Sequence, residues 1–384
     1  MTSRRRSRTV SFAILSLATV ALVGCGSPAP PTGSESAGTP TAAGAQGSNP
    51  TTAGAEGSKG YGKINLVIFN EGRPGLLTER GVVDVSALTR PLGGQDAMQV
   101  LITRYDELKP ELARLAAEGA AQPLSAVTLK APVPRAKVLA MGGNYREFGA
   151  RKPEPMWGFL KSTDAISGDG DTVVLPETDA NIFHHEAELV VVFGRAGRNI
   201  PQAQALDYVF GYTAGVDVSA RMPPSGAGGG GGRGGGRGGG RGNTMPISGG
   251  KSHNGFAVLG PAIVPKDEVG DAQAVDIKLW VNGELRPNYS TSDAAHSIAE
   301  SIAWATAITP VEPGDVLYMG TNHQGLGSMQ DGDHIEMEIS RIGRLTINVT
   351  DPSKRRWPRG VDEATAEGVR TGSGGPGSKS RPLP

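Results

Sequence analysis

One run of apolar, largely β-branched residues, Glu186-Ala187-Glu188-Leu189-Val190-Val191-Val192-Phe193-Gly194, carries two carboxylates at its head. No other segment constrains the fold as much. Its composition predicts a buried strand, and on a strand the side chains at i and i+2 project from one face. Glu186 and Glu188 therefore share one space. A third carboxylate, Asp217, follows in Gly211-Tyr212-Thr213-Ala214-Gly215-Val216-Asp217-Val218-Ser219-Ala220-Arg221. Anions gathered away from water repel, so one pKa rises or the strand is strained unless a cation intervenes. A hard divalent ion with oxygen ligands, Mg2+ first and Mn2+ or Ca2+ next, removes the conflict. The spacing is met equally by a Glu186 at a solvated strand start with Glu188 paired to an arginine, and spacing alone leaves both readings open.

The chain has 384 residues, 57 of them Gly, concentrated outside the segments that read as folded. Residues 1–25 read as a bacterial lipoprotein signal peptide: a basic start, Arg4-Arg5-Arg6-Ser7-Arg8, then an apolar core from Val10 to Val23 that is too short to span a bilayer. The core runs into Leu22-Val23-Gly24-Cys25, which matches a lipobox. Cys25 is the only cysteine, so no disulfide can form within a chain and Cys25 is expected to carry the lipid. These features predict an extracytoplasmic protein held to a membrane by its lipid anchor.

Residues 26–60, rich in Gly, Ser, Thr, Ala and Pro, predict a disordered linker, and 351–384 predict a disordered tail. Residues 61–134 read as a small N-terminal α/β module, with Ile64 to Phe69 as a strand, Gly81 to Val85 as its hairpin partner and Val100 to Glu118 as a helix. Residues 135–350 read as a catalytic core of strands punctuated by Gly and Pro, with one helix from Asp293 to Ile308. The fold class is α+β, rich in β. Within the core, 226–242 is an insertion of glycine holding Arg233, Arg237 and Arg241, disordered by composition. Three arginines in a chain of zero formal net charge argue against nucleic acid as a partner.

The segment from Lys137 to Val349 resembles the fumarylacetoacetate hydrolase family. The matches keep the family's order: Met141-Gly142-Gly143-Asn144-Tyr145, Phe159-Leu160-Lys161, Glu186-Ala187-Glu188-Leu189, Gly211-Tyr212-Thr213 with Asp217-Val218-Ser219-Ala220-Arg221, Gly250-Lys251-Ser252, Leu259-Gly260-Pro261, Val281-Asn282-Gly283-Glu284, Pro313-Gly314-Asp315, and Gly320-Thr321 with Gly325-Leu326-Gly327. The resemblance implies a rolled, mixed β-structure, usually in a homodimer, with the divalent ion on Glu186, Glu188 and Asp217. It implies action on a small 2-oxo or β-dicarbonyl carboxylic acid, by C–C cleavage, decarboxylation or isomerisation through a metal-stabilised enolate. Lys161 and Lys251 stand where the family keeps lysines beside the substrate. Thr321 belongs to a glycine-flanked loop suited to a carboxylate, and Asn144 and Tyr145 are placed on the opposite wall. Arg221 is placed at the substrate edge or behind it, as a partner of Glu188 or Asp217.

The departure from the family falls on proton transfer. Members commonly place a His four residues after the Asn of Asn-Tyr and a Glu three further on, an acid/base pair on a short lid. This chain has Phe148 and Arg151 there. Phe transfers no proton and Arg stays protonated. Replacement bases are Glu147, Glu154, His184, His185 and His323, and His323 is the expected catalytic one, because it stands in Gly320-Thr321-Asn322-His323-Gln324-Gly325 where many relatives have Pro. His253 and Asn254 stand where relatives often show Phe and Asp. Two classes of function follow: a metal-dependent enzyme with a relocated base, or a metal-holding protein that binds a small carboxylate without turning it over.

Overall fold

The structure, a computed structural model, describes residues 62–89, 95–223 and 244–384. The signal segment with Cys25, the linker and the glycine–arginine insertion lie outside the described residues. Two sheets build the fold. The larger runs in the order Ala121–Gln122, Gly81–Asp84, Arg73–Thr78, Leu66–Phe69, Ala257–Pro265, Val209–Arg221, Ile182–Phe193, Val316–Tyr318, Val138–Gly142, Trp157–Lys161. The smaller runs Glu284–Ser290, Asp276–Val281, His334–Ile339, Gly343–Thr350, Thr172–Val174. Most neighbours are antiparallel, but Val316–Tyr318 pairs parallel with Val138–Gly142 and Gly343–Thr350 parallel with Thr172–Val174. The class is thus α+β, with mixed, β-rich sheets.

The long hairpin Ile182–Phe193 and Val209–Arg221 lies at the middle of the larger sheet. Every residue of its first strand is buried, which explains a near-continuous apolar run where a half-exposed strand would alternate. The register sets Glu186 opposite Asp217 and Glu188 opposite Gly215. Gly215 is there for space: a Cβ would lie 2.6 Å from both Tyr318 Cε1 and Val190 Cγ2. Tyr318 fills that space, and its hydroxyl donates to the Val258 carbonyl at 2.7 Å.

Several boundaries differ from the sequence reading. Leu66–Phe69 pairs with Arg73–Thr78, and Arg73–Thr78 with Gly81–Asp84, so Gly81–Asp84 is one strand removed from its expected partner. Pro74 and Gly75 disguise the intervening strand as a turn. Leu66 also pairs with Ile263, so the sheet of the N-terminal segment continues into that of the core. The single helix expected from Val100 to Glu118 is two, Ala97–Thr103 and Tyr105–Glu118, separated at Arg104. The later helix begins at Ile298 instead of Asp293, because Ser297 and Glu300 form a capping box.

Residues 351–384 are not a disordered tail. Trp357 is 2% exposed; its indole N–H donates to the Asn181 carbonyl at 2.7 Å and its ring meets Phe183 edge-on. Asp351 is buried and accepts hydrogen bonds from Arg355. A helix, Glu363–Thr371, starts on Asp362 as N-cap and stops at the left-handed Gly372. Composition misleads here because a few apolar groups, Trp357, Ala366 and Val369, do the packing, while the Gly377 carbonyl accepts from Asn181 of the core.

Candidate metal centre

Glu186 and Glu188 point to one side of their strand, as the two-residue period requires, and cross-strand pairing brings Asp217 to the same place. One carboxylate oxygen of each lies within 4.8 Å of the others, and all three residues are buried. Glu186 is 4% exposed, so it does not sit at a solvated strand start, and the arginine partner belongs to Glu186, not to Glu188.

Three cations answer the three carboxylates. The Lys161 ammonium, fully buried, donates to Asp217 and to the Phe256 carbonyl. Lys251, on the short turn Gly249–Lys251, bridges Glu186 and Asp217. Arg221 donates to Glu186 through its terminal nitrogen and to His184 Nδ1 through Nε at 3.1 Å. Among the described residues Glu188 is left with only the Gly320 N–H, at 2.5 Å. Burial, then the neighbouring Asp217 and Glu186 charges, push its carboxyl well above the ordinary value. Burial also works against a charged Glu186, but Arg221 and Lys251 hold that carboxyl well below the usual range. Burial lowers the Lys161 pKa despite Asp217, whereas Asp217 and Glu186 overcome burial and raise that of Lys251. A buried carboxylate short of positive charge beside two others is the kind of oxygen donor set that suits a hard divalent ion.

His323 stands at the edge of this cluster. Its Nδ1 is 2.7 Å from Glu147 Oε1, and its Nε2 is 4.0 Å from Glu186 Oε1. An ionised carboxylate can only accept, so Nδ1 carries a proton, and Nε2 is the ring nitrogen that faces the carboxylate cluster. Glu147 Oε2 also accepts from the His323 backbone at 2.9 Å and from Gln324 Nε2 at 2.8 Å. Burial opposes the Glu147 charge, but His323 and these bonds keep its pKa below the ordinary value. Glu147 reaches inward because it and Phe148 both adopt left-handed backbone, φ 53° and 57°, a strained pair that leaves Phe148 60% exposed. Asp293 secures that turn, accepting from the Phe148 N–H and the Asn322 amide at 3.0 Å each.

The remaining expected residues divide. Asn144 clamps backbone and does not open onto a substrate wall: it donates to the Met319 carbonyl at 2.9 Å and accepts from the His296 N–H at 3.0 Å. Tyr145 packs edge-on against Tyr289, and Thr321, also buried, lies 3.3 Å from the Tyr289 hydroxyl. Arg221 backs Glu186, where partnership with Glu188 or Asp217 was expected. His184 links Arg221 to Asp362. His185 faces away, and neither of its ring nitrogens has a hydrogen-bond partner among the described residues. Glu154 pairs with Arg151 at the surface. The partnership of Glu147 with His323, and the contribution of Asp362, escaped sequence reasoning; the only local signal for the first was a Gly149 shortly after Glu147.

The family model for the fumarylacetoacetate (FAA) hydrolase C-terminal region matches residues 137–350. The chain belongs to the fumarylacetoacetate hydrolase family. It is 30% identical over 305 residues to a maleylpyruvate hydrolase of Aquipseudomonas alcaligenes, covering 73% of this chain and 97% of that one. It is 32% identical over 222 residues to the 4-hydroxyphenylacetate degradation bifunctional isomerase/decarboxylase of Escherichia coli, covering 57% of this chain and 48% of that protein. Among solved structures, the maleylpyruvate hydrolase of Sphingobium sp. SYK-6 in complex with manganese(II) ion and pyruvate superposes with a TM-score of 0.64 at 31% identity, covering 75% of this chain and 99% of that one.

Proposed function

We propose that the protein is a divalent-metal-dependent hydrolase of small 2-oxo acids of the acylpyruvate type, in which Glu147 and His323 replace the acid/base pair missing at Phe148 and Arg151. The observation that carries the reading is the Glu147–His323 pair aimed at the carboxylate cluster. The substrate class comes from the maleylpyruvate hydrolase relatives. Glu186, Glu188 and Asp217 would hold the ion, which when bound supplies a Lewis acid that polarises the 2-oxo group and stabilises negative charge on oxygen.

The chain's own groups do the rest. His323 Nε2 takes a proton from water as its oxygen bonds to the acyl carbon, and Glu147 holds the Nδ1 proton and steadies the imidazolium. The C–C bond to the pyruvyl carbon then breaks, and that carbon receives the proton from His323, yielding pyruvate and the free acid. Lys251 is the partly accessible cation that can meet a substrate carboxylate, while Lys161 stays locked on Asp217. Charge supports an anionic substrate: Lys161, Lys251 and Arg221 already balance Glu186, Glu188 and Asp217, so a divalent ion leaves a positive excess for a carboxylate and a developing oxyanion to neutralise.

The test is turnover of acylpyruvates, fumarylacetoacetate and oxaloacetate by the full chain with Mn2+, Mg2+ or EDTA, beside Glu186→Ala. Metal-dependent acylpyruvate cleavage that the variant loses is expected. Stoichiometric Mn2+ binding with no turnover of any of them moves the reading to a carboxylate-binding protein, as loss of the family's lid pair would allow. The same proposal places the enzyme outside the cytoplasm, anchored through Cys25, on the support of the signal segment and its lipobox, and makes it a homodimer on the support of the family resemblance; palmitate labelling lost in Cys25→Ser tests the first and the mass in solution the second.

A further inference from the structure

The C-terminal segment lies beyond the residues that the family model matches, yet it touches both halves of the site. Asp362 Oδ2 lies 3.3 Å from His184 Nε2. His184 is fully buried, and its Nδ1 accepts from Arg221 Nε–H at 3.1 Å. Arginine only donates, so Nδ1 has no proton, Nε2 carries it, and that proton points at Asp362. The other end of Arg221 donates to the metal ligand Glu186. Asp362 is itself fixed: Thr365 donates to it from its backbone at 3.1 Å and its hydroxyl at 2.8 Å, Ser380 donates at 2.5 Å, and the Asp362 N–H donates to the Leu326 carbonyl at 2.7 Å.

A second contact confines Arg221 sterically. Gly377, at φ +68°, crosses the arginine stem so closely that a Cβ there would lie 2.6 Å from Arg221 Cβ and Cγ and 2.8 Å from Ile182 Cγ2. Its N–H donates to Thr365 Oγ1 at 2.7 Å and its carbonyl accepts from Asn181 Nδ2 at 3.1 Å, so the crossing turn is held from both sides. The third contact reaches the base. Gln324 Nε2 donates to Glu147 Oε2 at 2.8 Å and to the Ala366 carbonyl of the C-terminal helix at 3.2 Å.

We infer that the stretch from Asp362 to Gly377 is a working part of the metal centre: Asp362, through His184 and Arg221, positions the ligand Glu186, and the helix Glu363–Thr371 positions the loop that carries His323. Asp362 and Gly377 are positioning residues; neither touches the ion or the substrate. The inference rests on the metal-dependent reading above. A segment that merely covered apolar surface would need Trp357, which shields Phe183, but not a charged group fixed by several donors and aimed at a buried histidine.

The experiment compares Mn2+ affinity, melting temperature, kcat and KM for the full chain and for Asp362→Ala, Gly377→Ala and Trp357→Phe. Groups that orient a metal ligand typically contribute about 10- to 100-fold in metal affinity. Asp362→Ala is therefore expected to weaken Mn2+ binding by about 10-fold or more well below its melting temperature, with kcat lowered more than KM is changed. Trp357→Phe is expected to lower the melting temperature and leave Mn2+ affinity alone. Gly377→Ala keeps every polar partner and drives one methyl group into Arg221, so it answers the question if Asp362→Ala does not fold; it too is expected to weaken Mn2+ binding. Parental Mn2+ affinity in either positioning variant overturns the inference, whatever the change in melting temperature. A parent chain that binds no Mn2+ sinks the metal-dependent reading itself, and the inference with it.

Discussion

Glu188→Gln should remove most of the stabilisation that a divalent metal gives the protein without weakening the metal-free chain. The carboxylate is buried against two others, with donor atoms no more than 4.8 Å apart, and each like-charged pair at that distance costs about 3 kcal/mol at an effective dielectric of about 20. Lys161 and Lys251 offset most of this, but Glu188 contacts neither and receives only the Gly320 N–H, a bond that the Gln oxygen preserves. In EDTA the variant is therefore expected to melt at or above the parent temperature. With Mn2+ at about 100 times its dissociation constant, the parent gains about 2.7 kcal/mol, roughly 5 °C for a chain of this size, and the variant gains less than about a third of that. Differential scanning calorimetry with and without Mn2+ reads both arms. A variant that gains as much as the parent, or that loses more than about 2 kcal/mol in EDTA, refutes the reasoning, because Glu188 would then be a structural acceptor and not a ligand.

Three further outcomes are expected. His323→Ala should lower kcat by about 100- to 10,000-fold with Mn2+ affinity unchanged, and Glu147→Gln should shift the acid limb of the kcat profile; steady-state kinetics across pH checks both, and a parental kcat in His323→Ala removes it as the base. Burial lowers the pKa of His184 to about 4 and of His185 to about 3, whereas the unfolded chain takes up these protons near the ordinary histidine value of 6.5. The unfolded state thus binds more protons as pH falls from 6.5, and stability should fall by on the order of 3 kcal/mol per histidine by pH 4; denaturant midpoints should show His185→Leu losing less, and an equal loss would count against this account. Gly215→Ala should cost about 1–3 kcal/mol, read as a lower melting temperature, because its methyl group collides with Tyr318 and Val190.

The clustering of Glu186, Glu188 and Asp217 was legible because its geometry is local. Two residues of one strand and one residue opposite need only a period of two and an antiparallel neighbour. The family resemblance supplied the sheet architecture that periodicity could not. Glu147 and His323 were visible singly but not as a pair: they are 176 positions apart, and only the left-handed turn at Glu147 and Phe148 brings them together. The C-terminal segment was misread because average composition dilutes the few residues that decide, Trp357, Asp362 and Gly377. The strand at Arg73–Thr78 was hidden by Pro74 and Gly75, whose local preference lost to pairing on both sides.

Placing all three carboxylates on the central hairpin has a consequence for timescale. Strands flanked by paired neighbours on both sides exchange their amide hydrogens only when the whole protein opens, whereas connecting loops open locally and far more often. The three carboxylates therefore keep their arrangement for as long as the molecule stays folded. The loop that carries His323 can rearrange many times within that lifetime. Permanence and adaptability thus meet at one place, the first supplied by the hairpin and the second by the loop that faces it.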